Sequence, residues 1–302
     1  MASGARELQR RIRSIGNTKK ITKAMELVSA AKMRKAVEAV SQSKAYAKAI
    51  WELAINLSHR VNNKNPFFTP RDVKRVTVVV ISSNKGLCGG FNRQLTELVA
   101  AFGKDLKSKG ADVSFITFGR KSAIALSSRG ANLTFDFKKE DLVTSASELF
   151  PLRDKITSDF SKGESDAIYL SYTDFRSALK HVPVILPLLP IPKRSDPFLG
   201  LTHDAPNSQG SDETQNYEYK FEPSPGEVLD EIIPRLVEVT LFQAVLESQA
   251  CEQSARMIAM KSATEAADEM ESFLNLQYNR ARQAGITREI AEISAGRIAL
   301  NV

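Results

Sequence analysis

Only two cysteines, three histidines and one tryptophan occur among the 302 residues. Cys88 and Cys251 lie far apart and give no disulfide framework, which points to a reducing compartment. No Cys or His cluster has metal-ligand spacing. His59, His181 and His203 stand in unrelated segments, so Cys88 lacks the neighbouring base that a nucleophile needs. Long hydrophobic runs are missing too. The most apolar stretch, residues 181–192, is short and interrupted by Pro183, Pro187 and Pro190, which excludes a membrane-spanning helix there. The chain opens on charged residues without an apolar signal core, so export is not expected. A hydrophobic content of 42% with a mean hydropathy of −0.23 fits a soluble protein of about two structural units.

The most informative absences are local. No glycine or proline occurs from Asn17 to Asn65, and none from Arg235 to Ala284. Each end therefore predicts one very long helix, roughly 70 Å at 1.5 Å rise per residue. Such a length exceeds the width of a single domain of this size and predicts a rod that pairs with itself or with a partner. A seam supports pairing. In the C-terminal run, Ile232, Leu236, Val239, Phe242, Leu246, Met257, Met260, Ala267, Leu274, Tyr278 and Ala281 recur mostly in steps of three and four, with Gln253 and Thr264 on the same stripe. The N-terminal run gives Leu8, Ile12, Ile15, Met25, Val28 and Ala31, with an interruption from Asn17 to Lys20. Helices at opposite ends of a chain pair most simply as an antiparallel coiled coil. The plainer alternative is two amphipathic helices lying on one globule.

Charge divides the ends. Residues 1–65 carry 14 Lys and Arg against 4 Glu, whereas residues 227–302 carry 7 against 12 Asp and Glu. The helices are electrostatically matched, with positive charge left on the first. An acidic protein partner, nucleic acid and an anionic membrane surface all suit such a stripe, as does a merely solvated face. Carboxylate pairs such as Asp268 and Glu269 read as ordinary helix surface.

The middle of the chain changes period. Residues 75–81 (RVTVVVI) form a β-branched run of the kind buried on both faces of a parallel sheet, and residues 91–109 follow as a helix. Strands are expected at 112–118, 132–137 and 166–172, with helices at 120–129 and 145–160. Strand alternating with helix predicts an open, Rossmann-like α/β domain. Residues 193–224, rich in Pro, Ser, Asn, Asp and Gly, read as a polar loop or insertion. The expected division is thus an N-terminal helix (1–65), an α/β domain (66–192), a polar insertion (193–225) and a C-terminal helix (226–302). After the first strand, Ser82-Ser83-Asn84-Lys85-Gly86-Leu87-Cys88-Gly89-Gly90 occupies the place where phosphates often bind. Its spacing matches neither G-x-G-x-x-G nor G-x-x-x-x-G-K-[ST], so Gly86, Gly89 and Gly90 read as a tight structural turn.

Arg10-Arg11-Ile12-Arg13-Ser14-Ile15, followed by Asn17-Thr18-Lys19-Lys20-Ile21-Thr22-Lys23-Ala24-Met25-Glu26-Leu27-Val28, closely resembles the N-terminus of the γ subunits of F-type ATP synthases. Gly86-Leu87-Cys88-Gly89-Gly90-Phe91-Asn92, Glu222-Pro223-Ser224-Pro225 and Leu246-Glu247-Ser248 are similar to further stretches of that family. So are Ala255-Arg256-Met257-Ile258-Ala259-Met260-Lys261, Tyr278-Asn279-Arg280-Ala281-Arg282-Gln283 and Ile286-Thr287-Arg288-Glu289-Ile290. The set spans almost the whole chain in order.

The resemblance implies a fold in which the terminal helices form the rotor shaft inside a hexamer of α and β subunits. It also implies an α/β domain that docks, with the ε subunit, on the membrane-embedded ring of c subunits. It implies a non-catalytic central-stalk subunit without cofactor or metal, peripheral on the cytoplasmic side of a bacterial plasma membrane or the equivalent face. By the same resemblance Lys23, Met25 and Arg256 face the acidic lever of β, while Arg282 and Gln283 meet a β loop near the upper shaft. Two departures stand out. Residues 194–220 are longer and more polar than a minimal member needs, and contain none of the cysteines of the chloroplast thiol switch. The tail Ser294-Ala295-Gly296-Arg297-Ile298-Ala299 places Arg297 in a stretch that is blander elsewhere. Two other readings stay open on the residues alone: a basic coiled-coil nucleic-acid binder, which lacks interleaved aromatics, and an enzyme on the α/β unit, which lacks an acid, base or phosphate anchor.

Overall fold

The computed structural model describes residues 2–60, 65–192, 222 and 224–300. The polar stretch 194–220 lies outside them. The two long helices are α1 (Ala2–Arg60) and α5 (Pro225–Leu300). Between them run β1 (Arg75–Ile81), α2 (Phe91–Ser108), β2 (Asp112–Phe118), α3 (Arg120–Ser127) and β3 (Leu133–Phe137). A 3-10 turn (Ala146–Leu149), α4 (Phe150–Ser161), β4 (Ala167–Phe175) and β5 (His181–Leu189) complete the order. Both long helices extend past the stretches free of glycine and proline. α1 continues through Gly16, and α5 carries Pro234 within its third turn.

The chain divides into two compact units: residues 1–29 with 256–302, and residues 30–255. The larger unit holds one five-stranded sheet in the order β3-β2-β1-β4-β5. Pairs β1–β2, β1–β4 and β2–β3 are parallel, and β4–β5 is antiparallel. Strand β1 is buried on both faces, as its unbroken β-branched run predicts. Val76, Val78 and Val80 pack under α2 and α3 with Leu95, Val99 and Leu126. Val79 and Ile81 face the opposite layer, which includes Leu152, Ile156 and Phe160 of α4.

That second layer includes part of each long helix. Trp51, Ala54 and Leu57 of α1 share this core with Leu229, Ile233, Leu236, Val237, Leu241, Ala244 and Val245 of α5. A sheet buried on both faces must be covered on both, and α4 alone is too short to cover five strands. Strand β5 was not foreseen, because its prolines interrupt a strand pattern. Pro183 and Pro187 pair across to Thr173 and Tyr169, on a strand with only one neighbour, where a missing N–H is tolerated.

In the smaller unit the helices run antiparallel. Gly16 lies against Glu271, Lys19 reaches Asp268 and Glu271, and Thr22 meets Thr264, so numbers rise on α1 as they fall on α5. The seam differs from the apolar one expected. Val28 is 55% exposed, while Ser29 and Thr22 are buried. Across from them Met260, Ala267 and Leu274 are buried, at 5–8% exposure.

Candidate functional site

Five of the residues expected at partner contacts belong to the smaller unit. Lys23 is exposed on α1 and holds Glu26 one turn on, at 2.9 Å and 3.1 Å to the two carboxylate oxygens. Met25 is half-buried beside it. On α5, Arg256 is buried, while Arg282 and Gln283 are exposed. The Thr22–Thr264 register sets Met25 level with the stretch around Lys261. Arg256 lies little more than one turn beyond that level. Arg282 and Gln283 lie roughly 30 Å further along α5 in the other direction, at 1.5 Å per residue. The structure thus brings Lys23, Met25 and Arg256 to one band and leaves Arg282 and Gln283 at another.

The seam between these helices mixes small and polar residues with Met260 and Leu274. Thr264 Oγ1 is 2.8 Å from Thr22 Oγ1 and also donates to the Met260 carbonyl at 2.8 Å. Lys19 donates to Asp268 and, at 3.3 Å, to Glu271. These hydrogen bonds to Asp268 and Glu271 raise the Lys19 pKa above the ordinary lysine value. The interruption read at Asn17 to Lys20 is therefore a place where the seam continues through an ion pair, and Asp268 is no bystander. Outward from the seam the unit exposes Ile21, Leu27, Met270, Phe273, Leu276, Ile290 and Ile293, each at 49–73%.

The glycine turn belongs to the larger unit, at the carboxyl end of β1. Gly89 (φ 57°) and Leu87 (φ 61°) occupy left-handed conformations, and Gly90 opens α2. Internal partners consume the turn's polar groups. Ser83 N–H donates to Asn92 Oδ1 at 3.2 Å, Ser83 Oγ donates to the Lys85 carbonyl at 2.7 Å, and Asn92 Nδ2 donates to Cys88 Sγ at 3.1 Å. Lys85 pairs with Asp141 at 2.5 Å. Next to it, Gly119 (φ 124°) packs against the Ser82 carbonyl so closely that any Cβ would collide with it.

In an open sheet of this order a nucleotide would sit beyond the carboxyl ends of the strands, where β1 and β4 part to opposite sides. Here the chain's own groups fill that position. Ser248 of α5 reaches the Ile81 carbonyl at 3.5 Å. Lys139 donates to the Ser82 carbonyl at 3.2 Å and to Glu252 at 3.0 Å, with both side chains buried. Two cavities beneath β5, lined by residues such as Tyr172, Leu188 and Thr240, each hold about 10 Å³, room for a single water. Among the described residues no group of three or more His, Cys, Asp or Glu could hold a metal ion, and no helix is long and apolar enough to cross a membrane. Sequence reasoning missed Lys139 and Glu252. Nothing in their local pattern distinguishes them from surface charges.

A family model described as ATP synthase matches residues 4–300. The ATP synthase gamma chain of Heliobacterium modesticaldum is 41% identical over 298 residues, covering 98% of this chain and 99% of that one. The gamma chain of Histophilus somni is 36% identical over 299 residues, covering 99% and 100%. Among solved structures, a chain of the Euglena gracilis mitochondrial ATP synthase (OSCP/F1/c-ring) superposes with a TM-score of 0.66 at 15% identity, covering 99% of this chain and 95% of that one. A chain of the Tetrahymena thermophila mitochondrial ATP synthase central stalk and c-ring gives 0.59 at 23% identity, covering 80% and 99%. These two likenesses speak to the fold. None of the findings favours nucleic-acid binding. With full-length identity above a third to two curated gamma chains, this chain belongs to the ATP synthase gamma chain family.

Proposed function

We propose that this chain is the central-stalk rotor subunit of an F-type ATP synthase and performs no bond chemistry itself. It turns inside a hexamer of α and β subunits, docks with ε on the c-subunit ring, and couples hydrogen ion transport to ATP synthesis by rotation. It sits peripherally on the cytoplasmic side of a bacterial plasma membrane, or the equivalent face. The observation that carries this reading is the antiparallel pairing of the two chain ends. Thr22 and Thr264, 242 residues apart in sequence, hydrogen-bond across a seam that also buries Ser29, Met260, Ala267 and Leu274, while other large apolar side chains such as Ile21 and Phe273 face outward.

Such a surface suits a shaft. Exposed apolar side chains spread along the helices, with polar residues between them, can be covered by a partner in part and uncovered again, so no single rotor angle need be held too tightly. In this reading Lys23, Met25 and Arg256 meet the acidic lever of β, and Arg282 and Gln283 meet a β loop higher on the shaft. Gly86, Gly89 and Gly90 shape a turn and bind no cofactor. Residues 1–65 and 226–302 serve as shaft helices, 66–192 as the docking domain and 193–225 as an insertion.

Reconstitution with matching α and β subunits tests the proposal, with a probe fixed to the α/β domain. Stepwise rotation dependent on ATP is expected. Correctly folded partners that assemble without taking up this chain would rule the proposal out.

A further inference from the structure

Within the larger unit, Glu247 stands where α1, α5 and β4 meet. It is 1% exposed. Its Oε1 accepts from Gln243 Nε2 at 3.0 Å, and Gln243 Oε1 accepts in turn from Ser43 of α1 at 2.7 Å. Its Oε2 is buried and makes no hydrogen bond of normal length and angle, with the Tyr172 phenol as the donor group on the facing strand. On β4, Asp174 is 3% exposed. Its Oδ2 accepts from Arg176 Nε at 3.2 Å, and its Oδ1 is buried without a donor among the described residues. Two carboxylates in one dry wall, each with an open oxygen, are costly if both are charged. One proton relieves both costs, because it removes a charge and supplies a donor.

The other ionisable groups facing Glu247 are few. Tyr172 and Asp174 approach from β4, Lys44 from α1, and Cys251 lies one turn on along α5. Burial, aided by the charges of Glu247 and Asp174, keeps the Tyr172 phenol and the Cys251 thiol neutral, with pKa values well above their usual ones. Lys44 is thus the only facing cation in that set, and it acts through space without a hydrogen bond to Glu247. We infer that Glu247 is a proton-binding site in the wall between α5 and β4, and that its ionisation loosens this wall, giving the chain a pH-responsive joint.

The charge balance agrees with the geometry. Burial first, then the nearby Asp174, pushes Glu247 up to about 7, against the opposing pull of Gln243, Tyr172 and Lys44. A carboxyl raised in the folded state stabilises the fold fully below its unfolded value, and that contribution is lost as pH rises toward the folded value. The window therefore runs from 4.5 to about 7. The joint is tightest on the acid side of neutrality and loosens toward alkaline pH.

Denaturant unfolding of the full chain, wild type against Glu247→Gln, across this window reads the effect. The wild-type folding constant should fall by on the order of tenfold more than that of the variant between about pH 5.5 and pH 7.5. Infrared titration of the wild type supplies a second readout that needs no variant. A protonated carboxyl band should persist at about pH 6 and titrate near neutrality, vanish in Glu247→Gln, and titrate at lower pH in Asp174→Asn. Equal pH profiles for wild type and Glu247→Gln, a wild-type band gone by about pH 5, or a band that survives Glu247→Gln would each overturn the inference.

Discussion

The two compact units of this chain are built from the same pair of helices yet are stabilised by opposite means. In residues 30–255, α1 and α5 press into a sheet covered on both faces, and side chains such as Phe118, Leu170 and Val245 are almost wholly buried. In residues 1–29 with 256–302 the same helices pair with each other, and among the described residues their seam includes Thr22, Ser29, Met260, Thr264, Ala267 and Leu274. Apolar area, worth about 25 cal/mol per Å² when buried, is spent on the sheet in one unit; in the other, Met260, Ala267 and Leu274 are buried while Ile21, Leu27 and Phe273 face outward. One helix sequence thus changes its task from core element to contact surface within a few turns.

Substitutions should separate the units. Phe118→Ala, 2% exposed in the sheet core, is expected to cost about 4 kcal/mol in chemical denaturation. Lys139→Met strips the buried Glu252 of its cation and should cost about 3 kcal/mol, most of it recovered when Glu252→Leu is added. Gly119→Ala forces a Cβ into the Ser82 carbonyl at a φ of 124°, for about 2 kcal/mol. In the smaller unit, Phe273→Ala removes a side chain that is 57% exposed and should change the stability of the free chain by about 0.5 kcal/mol or less, while weakening assembly with α and β subunits in a pull-down titration. Met25→Lys should likewise leave stability nearly unchanged. It should lower the number of protons pumped per ATP hydrolysed, because an added charge over-stabilises one rotor angle against an acidic partner. Full pumping in that variant would break the comparison at its functional end.

Much of the architecture could be read from residues, and the exceptions have physical causes. The valine run of β1 announces a strand buried on both faces, a second strand is read at 112–118, and the structure places β1 and β2 at 75–81 and 112–118 as expected. The proline-bearing β5 hid because an edge strand can dispense with N–H donors that a central one needs. Val28 was expected on the seam because it is apolar, yet it faces out while Thr22 and Ser29 face in. Where two helices pack without a third layer, small residues allow close approach and a large side chain loses little by turning outward. The Lys139–Glu252 pair and the Glu247–Asp174 wall were invisible, since each joins residues from separate elements and burial alone gives them meaning. The glycine turn was legible as a turn; the filling of the crevice beyond it by Ser248, Glu252 and Lys139 was not.

Amide hydrogen exchange on the full chain, free and then assembled with α and β subunits, tests the central contrast most directly. The account predicts that amides of the strands and helices within residues 65–192 and 225–255 are protected in the free chain and change little. Those of residues 2–29 and 256–300 should exchange readily when free and become strongly protected on assembly. Equal protection of both units in the free chain, or no gain in the paired ends on assembly, would contradict it.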